Sequence, residues 1–483
     1  MRTYRKFLYI LIIIFMTNTT KSQDLILDRS KPPKPGPPKD MAFPDYFDST
    51  LANGINLIVI ENNKVPAVSI RLIFKNSGAY YDSSEYGISS ITAELLTKGT
   101  KSRTATQIAE EVDFYGANLS SGSDWDGSYI SLSVLKKYLN NVTDVLADVV
   151  LNPVFSDEEI KRVKEQRIAT IQQGKDDPST LSDRMFNKVV FENSPYANPL
   201  EGTEESVHNL TREQIINFYS SHYCPSNLIL AFVGDITKDE ALKIVENKFG
   251  SWDRKCEKQE LLSSIENNIE KSFKSNNVYI VDKPDAVQSN LRIGHMGIAR
   301  NNPDYIAVTV MNTILGGFFG SRINLNLREK HGYTYGARSL FNARILPGDF
   351  SVDTDVRNEV TDSSVTLIIE ELKRIVSEEV TDEELQTVKN YLAGVFPLQL
   401  ETANAIASRV LNLKLYGLPK DYYNTYISNI QKLTKHDILN AAKKYIDPNN
   451  LYIVLSGNSN IIKEKIKSFG AVHIFDADGK SLQ

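Results

Sequence analysis

The chain has 483 residues, of which 41% are hydrophobic and 24% charged, with 25 Gly and 18 Pro. This globular composition excludes collagen, coiled coil and wholesale disorder, and at about 150 residues per domain the length suggests about three domains. The 55 Lys+Arg against 60 Asp+Glu give a net charge of -5, which disfavours nucleic-acid binding because such binding needs a basic surface. The 2 Cys exclude a disulfide scaffold and four-thiolate zinc modules.

The first 22 residues have the layout of a cleavable secretory signal peptide. A basic start with Arg2 and Arg5 precedes an apolar run at 7–16, which is shorter than the ~20 residues that a helix needs to span a bilayer. We expect cleavage ahead of Gln23 and export to the periplasm; an uncleaved membrane anchor is the alternative. Removal of 1–22 leaves 51 basic against 60 acidic residues, a net charge of -9. No later run suggests stable membrane insertion after signal removal.

A Pro-rich N-terminal arm is predicted at 23–46, with five Pro between 32 and 38. Because Pro fixes φ and removes a backbone donor, we expect an extended spacer here. Cys224 and Cys256 would meet an oxidising compartment after export, where a disulfide and two buried thiols are both compatible with the sequence.

The next segment, 47–251, predicts one domain that mixes strands and helices without strict βαβ alternation. Asn53-Gly54 lies between two apolar runs, which indicates a hairpin turn. Thr104 and Ser156 are predicted helix N-caps. Strands are predicted at 68–74, 129–134 and 228–233, and helices at 87–96, 104–115, 135–151 and 157–173.

The chain repeats itself. The segment YCPSNLILAFVGD from Tyr223 returns as YIDPNNLYIVLSGN from Tyr445, and three further matches keep the same order at offsets of 221 to 225. We therefore predict an α+β fold with two duplicated domains, each a mainly antiparallel β-sheet with helices packed on one face. The second domain is expected at 278–475, after a linker at 252–277 and before a tail at 476–483.

The segment GISSITAELLTKGT, residues 87–100, closely resembles the signature helix of the pitrilysin/insulinase family of zinc peptidases. In that family a Gly precedes His-x-x-Glu-His: the two His hold zinc, the Glu activates its water, and a later helix supplies a further Glu. Here Ser90 and Glu94 stand at the His positions, Ala93 at the general base and Thr170 at the later Glu. Hydroxyl groups stay protonated near neutral pH, so we expect no metal site and no catalytic residue in this chain.

Residues 311–339 resemble the family's second-domain motif, in which an Arg and a Tyr seven residues later hydrogen-bond the substrate carbonyl beside the scissile bond. Arg328 and Tyr335 have that spacing, and both side chains can donate to an oxygen that gains negative charge. The alternative is that Arg328 pairs with a local carboxylate and Tyr335 is a half-buried strand residue. For the three Gly between 316 and 320, a tight turn at a helix start is favoured over a substrate loop.

Some bacterial members of this family work as unlike pairs, with zinc in one subunit and the Arg–Tyr pair in the other. The resemblance implies that this chain is the non-catalytic, substrate-binding subunit of an exported heterodimeric zinc metallopeptidase. Its partners would be a related zinc-carrying subunit and a peptide that adds a strand to a sheet edge, and zinc is expected only in the partner. The alternative is a peptide-binding or scaffold pseudopeptidase with no enzymatic partner.

Overall fold

The computed structural model describes residues 42–192, 194–256 and 276–482. The predicted signal peptide, most of the Pro-rich arm and most of the linker at 252–277 lie outside the described residues. The described residues belong to one compact unit, Asp40–Gln483, so the two halves can be described together.

The first half contains a six-stranded sheet of mostly antiparallel strands, in which only β2 and β6 run parallel to each other. Its strands, in the order β1-β2-β6-β3-β5-β4, are β1 (Phe47–Thr50), β2 (Asn56–Glu61), β3 (Ala67–Lys75), β4 (Asn118–Ser123), β5 (Gly127–Leu135) and β6 (Leu228–Gly234). Its helices are α1 (Ile88–Leu95), α2 (Ala105–Phe114), α3 (Leu139–Leu151), α4 (Asp157–Gly174), α5 (Pro178–Val190), α6 (Glu204–Asn209), α7 (Arg212–His222) and α8 (Lys238–Phe249). The predicted hairpin turn at Asn53-Gly54 is confirmed, and Gly54 has a φ of 98° there.

The second half repeats this sheet. Its strands, in the order β12-β7-β11-β8-β10-β9, are β7 (Asn277–Asp282), β8 (Gln288–Met296), β9 (Ala337–Asn342), β10 (Asp349–Arg357), β11 (Tyr452–Gly457) and β12 (Ala471–Phe475). Its helices are α9 (Tyr305–Asn312), α10 (Arg322–Asn324), α11 (Thr361–Ser377), α12 (Asp382–Leu398), α13 (Ala403–Leu415), α14 (Tyr422–Lys432), α15 (Lys435–Tyr445) and α16 (Ser459–Ile466). Two π-helical turns, Thr313–Gly317 and Leu325–Lys330, extend α9 and α10.

The two sheets share five strands in the same order, which confirms the predicted α+β fold with a duplicated architecture. They differ in the sixth strand. The first sheet is completed by β1, an antiparallel neighbour from the start of the half, and the second by β12, a parallel neighbour from its end. The predicted N-caps are confirmed as well: the side chain of Thr104 accepts from Gln107 N–H and that of Ser156 from Glu159 N–H.

Both faces of each sheet are buried, because each half contributes one helix to the second face of the other half's sheet. Apart from the exchanged helix, helices of each half pack on one face of their own sheet, as predicted. On the other face of the first sheet, Ile58 and Ile229 pack with Ile406 and Val410 of α13, which comes from the second half. On the other face of the second sheet, α5 from the first half packs in the same way. Strands such as β6, LILAFVG, are buried along their whole length because both faces are covered.

The two cysteines, which the sequence left undecided, are joined. Cys224 and Cys256 form a disulfide across a sequence separation of 32 residues. The bridge ties the end of the first half to the segment that precedes β6.

One helical stretch is, by length and composition alone, long and apolar enough to cross a membrane. Among the described residues, Tyr305–Lys330 has a mean hydropathy of 1.3 over its most apolar window. Of that window, 61% is buried inside the protein, so the stretch has the properties of a core helix of the second half.

Candidate functional site

The start of α1 is fixed by a buried carboxylate and a close backbone approach. The backbone N–H groups of Gly87 and Ser89 donate to the two oxygens of Asp82, at 2.7 and 3.1 Å. Burial raises the pKa of Asp82 to about 7, although these hydrogen bonds act to lower it. Gly87 has a φ of 91°, and a Cβ there would lie 2.8 Å from the backbone O of Glu201. The glycine that precedes the zinc motif is therefore required by the backbone, whether or not a metal is present.

At the degenerate zinc motif, the positions of the two His ligands contact an arginine. Arg167 of α4 donates through Nη1 to Ser90 Oγ at 3.0 Å and through Nη2 to Glu94 Oε2 at 2.8 Å. The Ser90 hydroxyl in turn donates to the backbone O of Gly87, at 3.1 Å. Ala93, at the general-base position, is fully buried. The three motif positions are thus occupied by hydrogen-bonded or packed side chains.

Thr170, predicted at the position of the later Glu, is exposed and donates to the backbone O of Gln166 in its own helix. It is Arg167, one turn earlier, that reaches α1. Among the residues that the structure describes, no group of three or more His, Cys, Asp or Glu is placed to hold a metal ion. A zinc ion does not fit these side chains, since a cation already occupies the acceptor atoms that would face it.

Arg328 and Tyr335 lie on either side of a turn at Gly332, which has a φ of 63°. Arg328 is in the π-helical turn after α10; its Nη1 lies 3.1 Å from Glu329 Oε1, and its Cζ lies 4.4 Å from the ring centroid of Phe319. Tyr335 is 94% exposed and precedes β9. The alternative interpretation was that Arg328 pairs with a local carboxylate and that Tyr335 is a half-buried strand residue. The structure agrees with it for Arg328, which lies beside Glu329, but not for Tyr335, which is exposed and precedes the strand.

The segment that carries these two residues is anchored to the body of the second half. Arg322, 7% exposed, donates to both carboxylate oxygens of Glu384, at 2.6 and 2.9 Å. Burial acts to raise the pKa of Glu384, but these bonds and the backbone N–H of Thr381 outweigh it and bring the pKa to about 2. Asn326 Nδ2 donates to Glu371 Oε1 at 2.8 Å. The base of the segment is thus anchored by hydrogen bonds, while Tyr335 is exposed to solvent.

The glycines before the motif serve packing. A Cβ on Gly316 would lie 2.4 Å from Ser339 Oγ, so only glycine permits the π-helical turn after α9 to approach β9 this closely. Gly320 lies in the turn ahead of α10, which confirms the predicted helix-start turn for that position.

Comparison with known proteins agrees with the fold. The family profile described as Insulinase (Peptidase family M16) matches residues 57–204, and that described as Peptidase M16 inactive domain matches residues 209–392. The chain is 27% identical over 403 residues to an uncharacterized zinc protease of Rickettsia felis, covering 82% of this chain and 94% of the relative. It is 25% identical over 405 residues to the non-peptidase homolog YmxG of Helicobacter pylori, covering 84% and 92%.

Solved structures show the same architecture. The crystal structure of a peptidase M16 inactive domain from Pseudomonas fluorescens superposes with a TM-score of 0.80 at 25% identity, covering 86% of this chain and 98% of the other. A protease from Helicobacter pylori superposes with a TM-score of 0.78 at 18% identity, covering 86% and 99%, which shows the common fold.

Fold and site together define a duplicated peptidase-like protein whose metal positions carry other side chains. The chain belongs to the M16 (insulinase) family, as the sequence motifs predicted, and it has the features of a pseudoenzyme of that family. Sequence reasoning missed Arg167 and Phe319. The helix period could have indicated Arg167, because it lies three residues before Thr170 and seven after Ile160 and therefore shares their face of the helix. Nothing in the sequence placed Phe319 against Arg328.

Proposed function

We propose that this chain is the non-catalytic, substrate-binding subunit of an exported heterodimeric zinc metallopeptidase. It supplies Arg328 and Tyr335 to the carbonyl of a peptide that is cleaved at a related partner's zinc. The observation that carries the proposal is the exposure of Tyr335. An aromatic side chain that is 94% exposed contributes little to folding, which favours a binding role.

Two further features support the non-catalytic assignment. Ser90, Ala93 and Glu94 lack the donor set of a zinc site, and one relative is named a non-peptidase homolog. Arg328 and Tyr335 retain donors that can stabilise an oxyanion but hold neither a metal nor a nucleophile. A chain with this combination needs a second chain for hydrolysis.

Export is part of the proposal. The disulfide between Cys224 and Cys256 is the state expected in an oxidising compartment such as the periplasm. It agrees with the signal-peptide layout of residues 1–22, which lie outside the described residues.

Of the two corresponding edge strands β4 and β9, β4 is the better candidate for the addition of a peptide strand. At β9, Ala337 N–H already donates to Asn324 Oδ1 and Ser339 O already accepts from Asn312 Nδ2, both at 3.0 Å. Its counterpart β4 pairs with β5 alone, and within the described residues its backbone receives no side-chain hydrogen bond. Strand addition needs free backbone groups, so between these two edges we propose β4 for the peptide.

Reconstitution tests the function. The mature chain, mixed with the zinc-carrying relative that co-purifies with it, should raise the rate of peptide cleavage well above that of either chain alone. The sample is pulled down from periplasmic extract and assayed with and without a chelator. Recovery of the chain by itself, with no rate gain on mixing with zinc-carrying relatives, would contradict the proposal. Peptide binding that persists without a partner and is unaffected by Arg328→Ala would favour the scaffold alternative.

A further inference from the structure

The arginine at the degenerate zinc motif is more than a neighbour of the lost ligands. Its side chain lies between Ser90 and Glu94, the two positions at which the family carries its zinc-binding His. We infer that Arg167 takes the place of the metal: its guanidinium is an internal cation that ties α1 to α4. This inference depends on membership of the M16 family and is independent of the proposed function.

The hydrogen-bond geometry supports the substitution. A zinc ion would join these two helices by accepting electron pairs from side chains of both. The guanidinium carries a positive charge and forms the same cross-link with two of its N–H groups. The orientation of the Ser90 hydroxyl is set by two hydrogen bonds, since it accepts from Arg167 and donates to Gly87 O.

The ion pair between Arg167 and Glu94 is partly buried, which strengthens it. The side chain of Arg167 is 18% exposed and that of Glu94 33%, so water screens the charges less than at an open surface pair. On the same face of α4, one turn earlier, Lys164 Nζ donates to the backbone O atoms of His208 and Leu210, each at 2.7 Å. The inner face of α4 is therefore held to its neighbours by cations at two successive turns.

Arg167 also opposes a return of zinc. Its N–H groups occupy the acceptor atoms at the ligand positions, and a dication placed there would be repelled by the guanidinium. Restoring the two His and the later Glu should therefore fail to restore metal binding while Arg167 remains, whereas replacing Arg167 at the same time should permit it.

The metal test compares two variants of the mature chain. One carries Ser90→His, Glu94→His and Thr170→Glu and keeps Arg167; the other carries the same changes together with Arg167→Met, so that both offer the same three ligands. After dialysis against Zn²⁺ we expect about one zinc per chain and a zinc-dependent rise in Tm only for the variant without Arg167. Equal zinc content and equal stabilisation in both variants would overturn the inference.

A second measurement keeps the inference testable if either of these zinc-site variants does not fold. Arg167→Met should raise the unfolding equilibrium constant about tenfold, because Glu94 and Ser90 lose their shared donor. Arg167→Lys should recover only part of the lost stability, because a single ammonium cannot reproduce the two-pronged donor geometry of a guanidinium. The matched control is Arg162→Met on the same helix, whose side chain is 44% exposed. An effect of Arg167→Met no larger than that of the control would contradict the tie between α1 and α4.

Discussion

Asp126 is a buried carboxyl that connects the two halves. It is 4% exposed and accepts from Tyr196 Oη and from the backbone N–H of Ile345, both at 3.1 Å. Burial, and then the charge of Asp124, raise the pKa of Asp126 to about 6. Because this value lies above the unfolded pKa of about 3.9, the stability that Asp126 contributes is fully present below pH ~4 and is lost as the pH rises through about 6.

The pH dependence of unfolding tests this carboxyl. Between pH 4.5 and 7.5 the free energy of unfolding of the wild type should fall by about 2 kcal/mol more than that of Asp126→Asn, in which the group cannot ionise. Urea titrations at several pH values measure the difference. Asp239→Asn, at a side chain that is 81% exposed, is the control and should follow the wild type. Parallel curves for wild type and Asp126→Asn would refute the raised pKa.

At the scale of single residues, the sequence predicted which residues occupy the motif positions better than it predicted what those residues contact. The motif frame located Ser90, Ala93 and Glu94 correctly on α1, because a helix period and a capping glycine are local signals. It did not predict that Arg167 would contact them, because that contact depends on the packing of α4 across α1. The exposure of Tyr335 is likewise a property of the tertiary structure.

The element that presents Arg328 and Tyr335 is short and irregular. α10 has three residues and continues as a π-helical turn, so its own backbone hydrogen bonds stabilise it weakly. The bidentate pair between Arg322 and Glu384 joins it to the first turn of α12. Since the pKa of Glu384 is about 2 in the folded chain, this contribution is present above pH ~4.3 and fades as the pH falls towards 2.

Hydrogen exchange tests the anchor. In Arg322→Met the amides of residues 318–336 should exchange about tenfold faster, because the segment loses a charge-assisted, two-bond contact. Lys435→Met is a matched control, since Lys435 pairs with Asp382 on the same first turn of α12 through a carboxylate that is 89% exposed. Equal exchange in 318–336 for the two variants would contradict the anchoring role.

The whole molecule is held together by the exchange of α5 and α13 between the halves. Each covers the second face of the other half's sheet with apolar residues that include Phe186 on α5 and Val410 on α13, both fully buried. The two halves should therefore lose stability together.

Truncation of one exchanged side chain measures this coupling. Phe186→Ala should cost about 3–5 kcal/mol and should lower amide protection in β7 and β11, which belong to the other half. Phe114→Ala, at a side chain that is 81% exposed, is the control and should leave both halves unchanged. Loss of protection confined to α5 and its own half would refute the coupling.

The sequence predicted the duplication and the α+β class because repeats and alternation are properties of the chain itself. It did not predict the exchanged helices. Strands β2 and β6 are apolar on both faces, which requires a second covering layer, but no local pattern tells which helix supplies it. The sixth strands, β1 and β12, differ for the same reason: pairing at an edge depends on where the flanking chain can reach.

The central claim is that Arg328 acts on a peptide cleaved by a partner. The most direct test measures kcat/KM of the reconstituted pair, together with the Kd between its subunits, for wild type, Arg328→Ala and Arg338→Ala. Arg338 is a nearby control whose side chain is 68% exposed. We predict that Arg328→Ala lowers kcat/KM by about 10²–10³-fold at unchanged Kd, the loss typical of one oxyanion donor, while Arg338→Ala has little effect. Unchanged kcat/KM in an intact Arg328→Ala pair would contradict the account.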